Sequence, residues 1–154
     1  MLNIKFYIIM LLSLMVMNDA NAFCFDTAGR VFGIDPNIII AIAVVESNLN
    51  PLATHLNKNH SVDIGVMQIN SVHQDDLSSV GLSLNDLFEP CKNILFGAWL
   101  LKKSIAKAQG DIWRGVGIYH STTPVLRDAY TDKIRQTFLQ ITSLNQDLRN
   151  ATAR

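Results

Sequence analysis

Between Ile38 and Val45 eight consecutive positions are apolar, and the run ends in a carboxylate, Glu46. Asp35-Pro36 ahead of it offers an N-cap and a proline at the first helical position, which predicts a helix from Pro36 to Ser47. In that helix positions 35, 38, 39, 42 and 46 share a face, so Glu46 falls in line with Ile38, Ile39 and Ile42 and looks inward from the last turn. The alternative is an exposed helix end with a solvated glutamate. Phe25 to Phe32, closed by Gly33, predicts a short preceding helix. The segment NPLATHLNKNHSVDIG, Asn50 to Gly65, then replaces periodicity with turn residues and predicts loops with a small hairpin around Ser61 to Gly65. Helical spacing returns over Ile69 to Val80, Asn93 to Gln109, Ile112 to His120 and Val125 to Leu144, with Gly81 and Gly110 as stops for the first two. Residues 145–154 are polar and predict a frayed tail. The chain has no internal repeat or long linker, so the pattern predicts one compact, mainly α domain with a small loop or hairpin lobe.

The opening MLNIKFYIIMLLSLMVMNDANA changes where that domain starts. Lys5, the apolar Phe6 to Met17 and the Ala20-Asn21-Ala22 ending read as a cleaved secretory signal over residues 1–22, with the domain at 23–144. The apolar run is shorter than the roughly 20 residues a spanning helix needs, so no membrane span is expected in the mature chain. The 154 residues are 49% hydrophobic and 17% charged, a balance suited to one domain with a real core. Formal net charge is zero, and loss of Lys5 and Asp19 with the leader leaves it there. No basic field exists to hold nucleic acid or an acidic membrane. Export makes Cys24 and Cys91 candidates for a disulfide, the only pairing available, worth roughly 4 kcal/mol in the chain-entropy account. Neither belongs to a Cys-x-x-Cys or Cys/His cluster, and His55, His60, His73 and His120 have no metal-ligand spacing, so no metal or cofactor is expected. Trp99 and Trp113 could stack on sugars, but their apolar helical settings favour the core. The serines lack a nucleophile elbow, which excludes serine-hydrolase chemistry.

The remaining chemistry centres on Glu46. Apolar neighbours and the partial negative charge of a helix C-terminus both disfavour its ionised form, so its pKa should rise. A carboxylic acid protonated near neutral pH is what cleavage of a glycosidic bond by general-acid catalysis needs. Around it, Glu46 to Ser71 resembles the active-site region of the lysozyme superfamily. Glu46-Ser47, GVMQIN from Gly65 to Asn70 and GIYHS from Gly117 to Ser121 look like the three ordered motifs of the lytic transglycosylases. Chain size, leader and cysteine placement are most similar to the small transglycosylases that accompany type III and type IV secretion, conjugation and pilus machines. The same segment resembles c-type lysozymes in its Glu-Ser-Asn-x-Asn start and Asp-x-Gly-x-x-Gln-Ile-Asn-Ser end.

The resemblance implies a lysozyme-like α+β fold acting on peptidoglycan glycan strands in a periplasm, with a component of such a machine as a candidate partner. It implies Glu46 as the catalytic acid and Tyr119 as a tyrosine that faces the acid and hydrogen-bonds it. Ser47 becomes a supporting or substrate-facing hydroxyl, with a local backbone hydrogen bond as the alternative. Gly65 would permit a tight backbone path beside the sugar, and Met67, Gln68 and Asn70 would line the cleft. His120 stands where many relatives have asparagine, in a Tyr-Asn-x-Gly pattern, and joins the substrate-binding set. The implied reaction breaks the β-1,4 bond between N-acetylmuramic acid and N-acetylglucosamine and leaves a 1,6-anhydromuramic end. Asp63 follows Glu46 at the separation of the two acids of c-type lysozymes. It is either an electrostatic or turn-capping residue, or the second carboxylate of a retaining hydrolase. A non-catalytic glycan-binding or scaffolding component is the alternative from another class.

Overall fold

The computed structural model describes residues 23–153; the expected leader lies outside them. Helix α1 (Phe25–Phe32) is followed by α2 (Pro36–Ser47), strands β1 (Thr54–Leu56), β2 (Val62–Ile64) and β3 (Ile69–Asn70), and a 3-10 turn (Ser71–His73) leading into α3 (Gln74–Ser79). A second 3-10 turn (Leu84–Phe88) precedes α4 (Pro90–Lys107), α5 (Ile112–His120) and α6 (Pro124–Thr152). The mainly helical domain with a small lobe is therefore present, and the lobe is a three-stranded antiparallel sheet in the order β1-β2-β3.

The start of α2 follows from its local chemistry. Asp35 accepts a hydrogen bond from the Asn37 amide at 2.8 Å, and Pro36 occupies the first turn, where its missing N–H costs nothing. Asn48, in the left-handed region at φ 53, closes the other end, its N–H bonding back to the Val44 carbonyl. Ile38, Ile39, Ala41, Ile42 and Ala43 are buried nearly all round the helix, which makes α2 the central rod. It packs against α1 and α6, while α4 packs against α1 and α5, and α5 against α6. The α4–α5 contact needs Gly115, where a Cβ would stand 2.5 Å from Ile105 Cγ1. Cys24, just before α1, is bonded to Cys91 in the first turn of α4, with the Cα atoms 5.3 Å apart.

Two expectations are corrected. The segment from Ile69 does not open a helix: Ile69 and Asn70 pair with β2, and the Asn70 side chain accepts from the Val72 N–H at 3.0 Å, turning the chain before α3. Nor is the tail frayed, since α6 continues through residues 145–152, with Asn145 donating to Asn37 Oδ1 at 3.1 Å. No described helix is long and apolar enough to cross a membrane.

Candidate active site

The sheet lobe and the helical body enclose a cleft of about 610 Å³ lined by Glu46, Asp63, Gln68, Asn70, Tyr119 and His120 among others. Glu46 sits in the last turn of α2, half-buried. Its Oε1 accepts a hydrogen bond from Tyr130 Oη at 2.5 Å, and Tyr130 itself is buried on α6. Burial raises the Glu46 pKa above the ordinary 4.5, and the Asp63 charge adds to this; the Tyr130 bond, His120 and Lys133 oppose it, and the net shift is upward. His120 is exposed and lies parallel to the Tyr130 ring, with centroids 4.5 Å apart and planes 4° apart. It covers the phenol that holds the acid.

Strand register builds the other side. Asp63 faces His55 on β1 and Asn70 on β3, and cross-strand partners project from the same face. All three line the cleft. The Asp63 carboxylate accepts from Asn70 Nδ2 at 2.6 Å and from Asn57 Nδ2 at 2.9 Å, two donors that fix its orientation. The two carboxyl groups thus have unlike settings: one half-buried against a phenol, the other held by amides. Gln68 follows in a left-handed conformation, φ 49, an uncommon backbone state for a non-glycine residue. Its Nε2 donates to the carbonyls of Gly65 at 2.8 Å and Ala53 at 3.2 Å, fixing the side chain in the cleft wall.

Several expected site residues lie elsewhere. Tyr119 lines the cleft, but its hydroxyl donates to the Met67 carbonyl at 2.9 Å rather than to Glu46; the hydroxyl that bonds Glu46 is that of Tyr130. Ser47 Oγ donates to the Val66 carbonyl at 2.7 Å and accepts from the Asn50 N–H, so it ties α2 to the lobe instead of facing the cleft. The Met67 side chain is fully buried against Gly97, where a Cβ would come within 2.5 Å of its sulfur. Gly65, at φ 76, is required by Asn93: a Cβ there would lie 2.3 Å from Asn93 Nδ2. Close packing on Asn93 and the left-handed backbone both call for glycine there.

Sequence reasoning missed Asn93 and Tyr130. Asn93 is fully buried on α4; it accepts from the Met67 N–H at 2.8 Å and donates to the carbonyls of Ile64 and Leu87 at 2.8 and 2.9 Å. It pins the lobe to the helical body. Tyr130 shares the inward stripe of α6 with Ile134, four residues on, and a core tyrosine needs a partner for its hydroxyl; that spacing was the available signal. Trp99 and Trp113 pack on Phe96 and Phe138 and do not line the cleft. No cluster of three or more potential metal ligands occurs among the described residues.

Comparison with known proteins bears on the family and the fold. The family described as Transglycosylase SLT domain matches residues 23–137. The chain is 32% identical over 150 residues to the invasion protein IagB of Salmonella typhimurium, covering 94% of this chain and 93% of that protein. It is 37% identical over 128 residues to a peptidoglycan-binding-like protein of Escherichia coli O157:H7, covering 77% of this chain and 76% of the other. To the protein IpgF of Shigella flexneri it is 34% identical over 123 residues, covering 77% and 80%. Among solved structures, the lytic transglycosylase Slt of Pseudomonas aeruginosa superposes with a TM-score of 0.57 at 18% identity, over 79% of this chain and 21% of that longer one. That likeness bears on the fold.

Proposed function

This chain belongs to the Transglycosylase SLT domain family and is a peptidoglycan lytic transglycosylase; we propose that Glu46 is its single acid and base. The observation that carries the assignment is the half-buried Glu46 carboxyl at the cleft, its pKa raised by burial and its position fixed by Tyr130. Protonated Glu46 gives its proton to the oxygen bridging N-acetylmuramic acid and N-acetylglucosamine as that bond breaks. Positive charge develops at the muramic anomeric carbon, where the Asp63 carboxylate stabilises it through space. Glu46, now ionised, takes the proton from the muramic C6 hydroxyl while that oxygen attacks the anomeric carbon, closing the 1,6-anhydro ring. Both reacting groups belong to one sugar, so the step is intramolecular and needs no water. Gln68, Asn70 and His120 supply polar contacts to the strand, while Tyr119 shapes the wall.

A retaining hydrolase using Glu46 and Asp63 is the second reading, favoured by the presence of both carboxylates on one cleft. The amide grip on both Asp63 oxygens supports the electrostatic role over the nucleophilic one. Location in a periplasm and local opening of the wall for a secretion, conjugation or pilus machine complete the proposal. The disulfide supports an oxidising compartment, and similarity to an invasion protein supports the machine. Glu46→Gln keeps the shape and removes the donor; it should abolish clearing of purified peptidoglycan. Undiminished clearing would contradict the assignment.

A further inference from the structure

One wall of the cleft is a single stripe of α4. Leu100, Lys103, Ser104 and Lys107 line it, and their i, i+3, i+4, i+7 spacing puts them on one face of the helix. Packing does not call for cations there, since the same helix turns Ala98, Leu101 and Ile105 into the protein. Lys103 is already engaged: its ammonium stands 4.2 Å from the Trp99 ring centroid and 3.6 Å from Asp76 Oδ1. Lys107, one turn further on, is exposed and has no ion-pair partner among the described residues. Elsewhere the lining carries Glu46 and Asp63, so an anion is disfavoured beside the acid and favoured along α4.

The sugars of a glycan strand carry no charge of their own. Carboxylates enter only through the muramic lactyl group, as acidic residues of an attached stem peptide or as the lactyl carboxylate itself where the peptide has been removed. We propose that Lys107, assisted by Lys103, forms an anion-binding subsite of the cleft that reads these substrate carboxylates, those of the stem peptide first. The inference rests on the peptidoglycan reading above. It makes the enzyme selective for strands by what they bear, not only by their sugars.

Soluble glycan strands in three forms test it: bearing stem peptides, stripped by an amidase so that only lactyl carboxylates remain, and peptide-bearing with the carboxylates amidated. A solvent-exposed ion pair has a modest effect, so Lys107→Met should raise KM on peptide-bearing strands about two- to fivefold. A contact made equally in the ground and transition states acts on KM more than on kcat. Lys107→Arg should restore KM, high salt should erase the difference, and amidated strands should give the wild type the KM of Lys107→Met. Lys102→Met, a neighbour on α4 outside the cleft, should leave KM alone. Loss of the Lys107 effect on stripped strands assigns the subsite to the stem peptide, and its persistence there assigns it to the lactyl carboxylate. An unchanged KM for Lys107→Met on peptide-bearing strands, or equal wild-type KM for amidated and native strands, overturns the proposal. Failure of the wild type to cleave any of the three would instead remove the peptidoglycan reading, and the subsite with it.

Discussion

At Glu46 burial and a hydrogen bond act in opposite directions, and burial wins. The Tyr130 hydroxyl favours the ionised carboxylate, so it eases the loss of the proton during bond cleavage while fixing the group in place. Tyr130→Phe removes both effects. The alkaline limb of the kcat/KM profile, which reports loss of the acid's proton, should move to higher pH, and kcat should fall on the order of tenfold from poorer positioning. A limb that stays in place or moves down would contradict this role. The same raised pKa makes a stability prediction. Below 4.5 the group is protonated in both the folded and the unfolded chain; as pH rises through the raised folded value, the unfolded chain releases its proton first and the wild type loses stability. Glu46→Gln does not titrate, so thermal melts should show it gaining on the wild type as pH rises through that window and matching it below. Glu46 itself was legible in the sequence, less from the apolar periodicity, which an exposed helix end would also satisfy, than from the motif resemblance of the segment Glu46 to Ser71. Tyr130 was not, because α6 brings it to the acid across the fold and no local spacing links the two.

The elements show the same division between local and distant causes. Helices α1, α2 and α5 have the bounds their caps and periodicity predict, since Gly33, Asp35-Pro36 and Asp111 act on neighbouring backbone. The α4 start was placed late because Glu89, accepting from the Cys91 and Lys92 N–H groups, caps a proline-initiated turn ahead of the apolar run. The segment after Gln68 misled because β3 is only two residues long and exists by pairing with β2, which periodicity along one chain cannot report. Among these elements α1 and α4 are joined covalently through Cys24 and Cys91. Replacing both cysteines with serine should cost about 2–5 kcal/mol, read as a lower midpoint of urea unfolding. An unchanged midpoint would show that packing of α1 on α4 suffices alone.

At the scale of the whole molecule, long-range hydrogen bonds tie the sheet lobe to the helical body: Asn93 to the Met67 turn and the Ile64 carbonyl, Tyr119 to the Met67 carbonyl, and Ser47 to the Val66 carbonyl. Of the motif residues, Ser47, Gly65 and Met67 pack or bond behind the cleft wall, and Glu46, Asp63, Gln68, Asn70, Tyr119 and His120 line the cleft. Motif resemblance identified both groups without separating them, because it records which residues recur and not which way they point. Glu46 and Asp63 line the same cleft, and the central claim of the proposed mechanism is that the substrate's own C6 hydroxyl, rather than water, completes the reaction. Mass analysis of the muropeptides released from purified peptidoglycan tests this directly. The account predicts 1,6-anhydromuramic ends, one water lighter than hydrolysed ends, made by the wild type and lost in Glu46→Gln; reducing ends would contradict it and assign Asp63 the part of a hydrolase's second carboxylate.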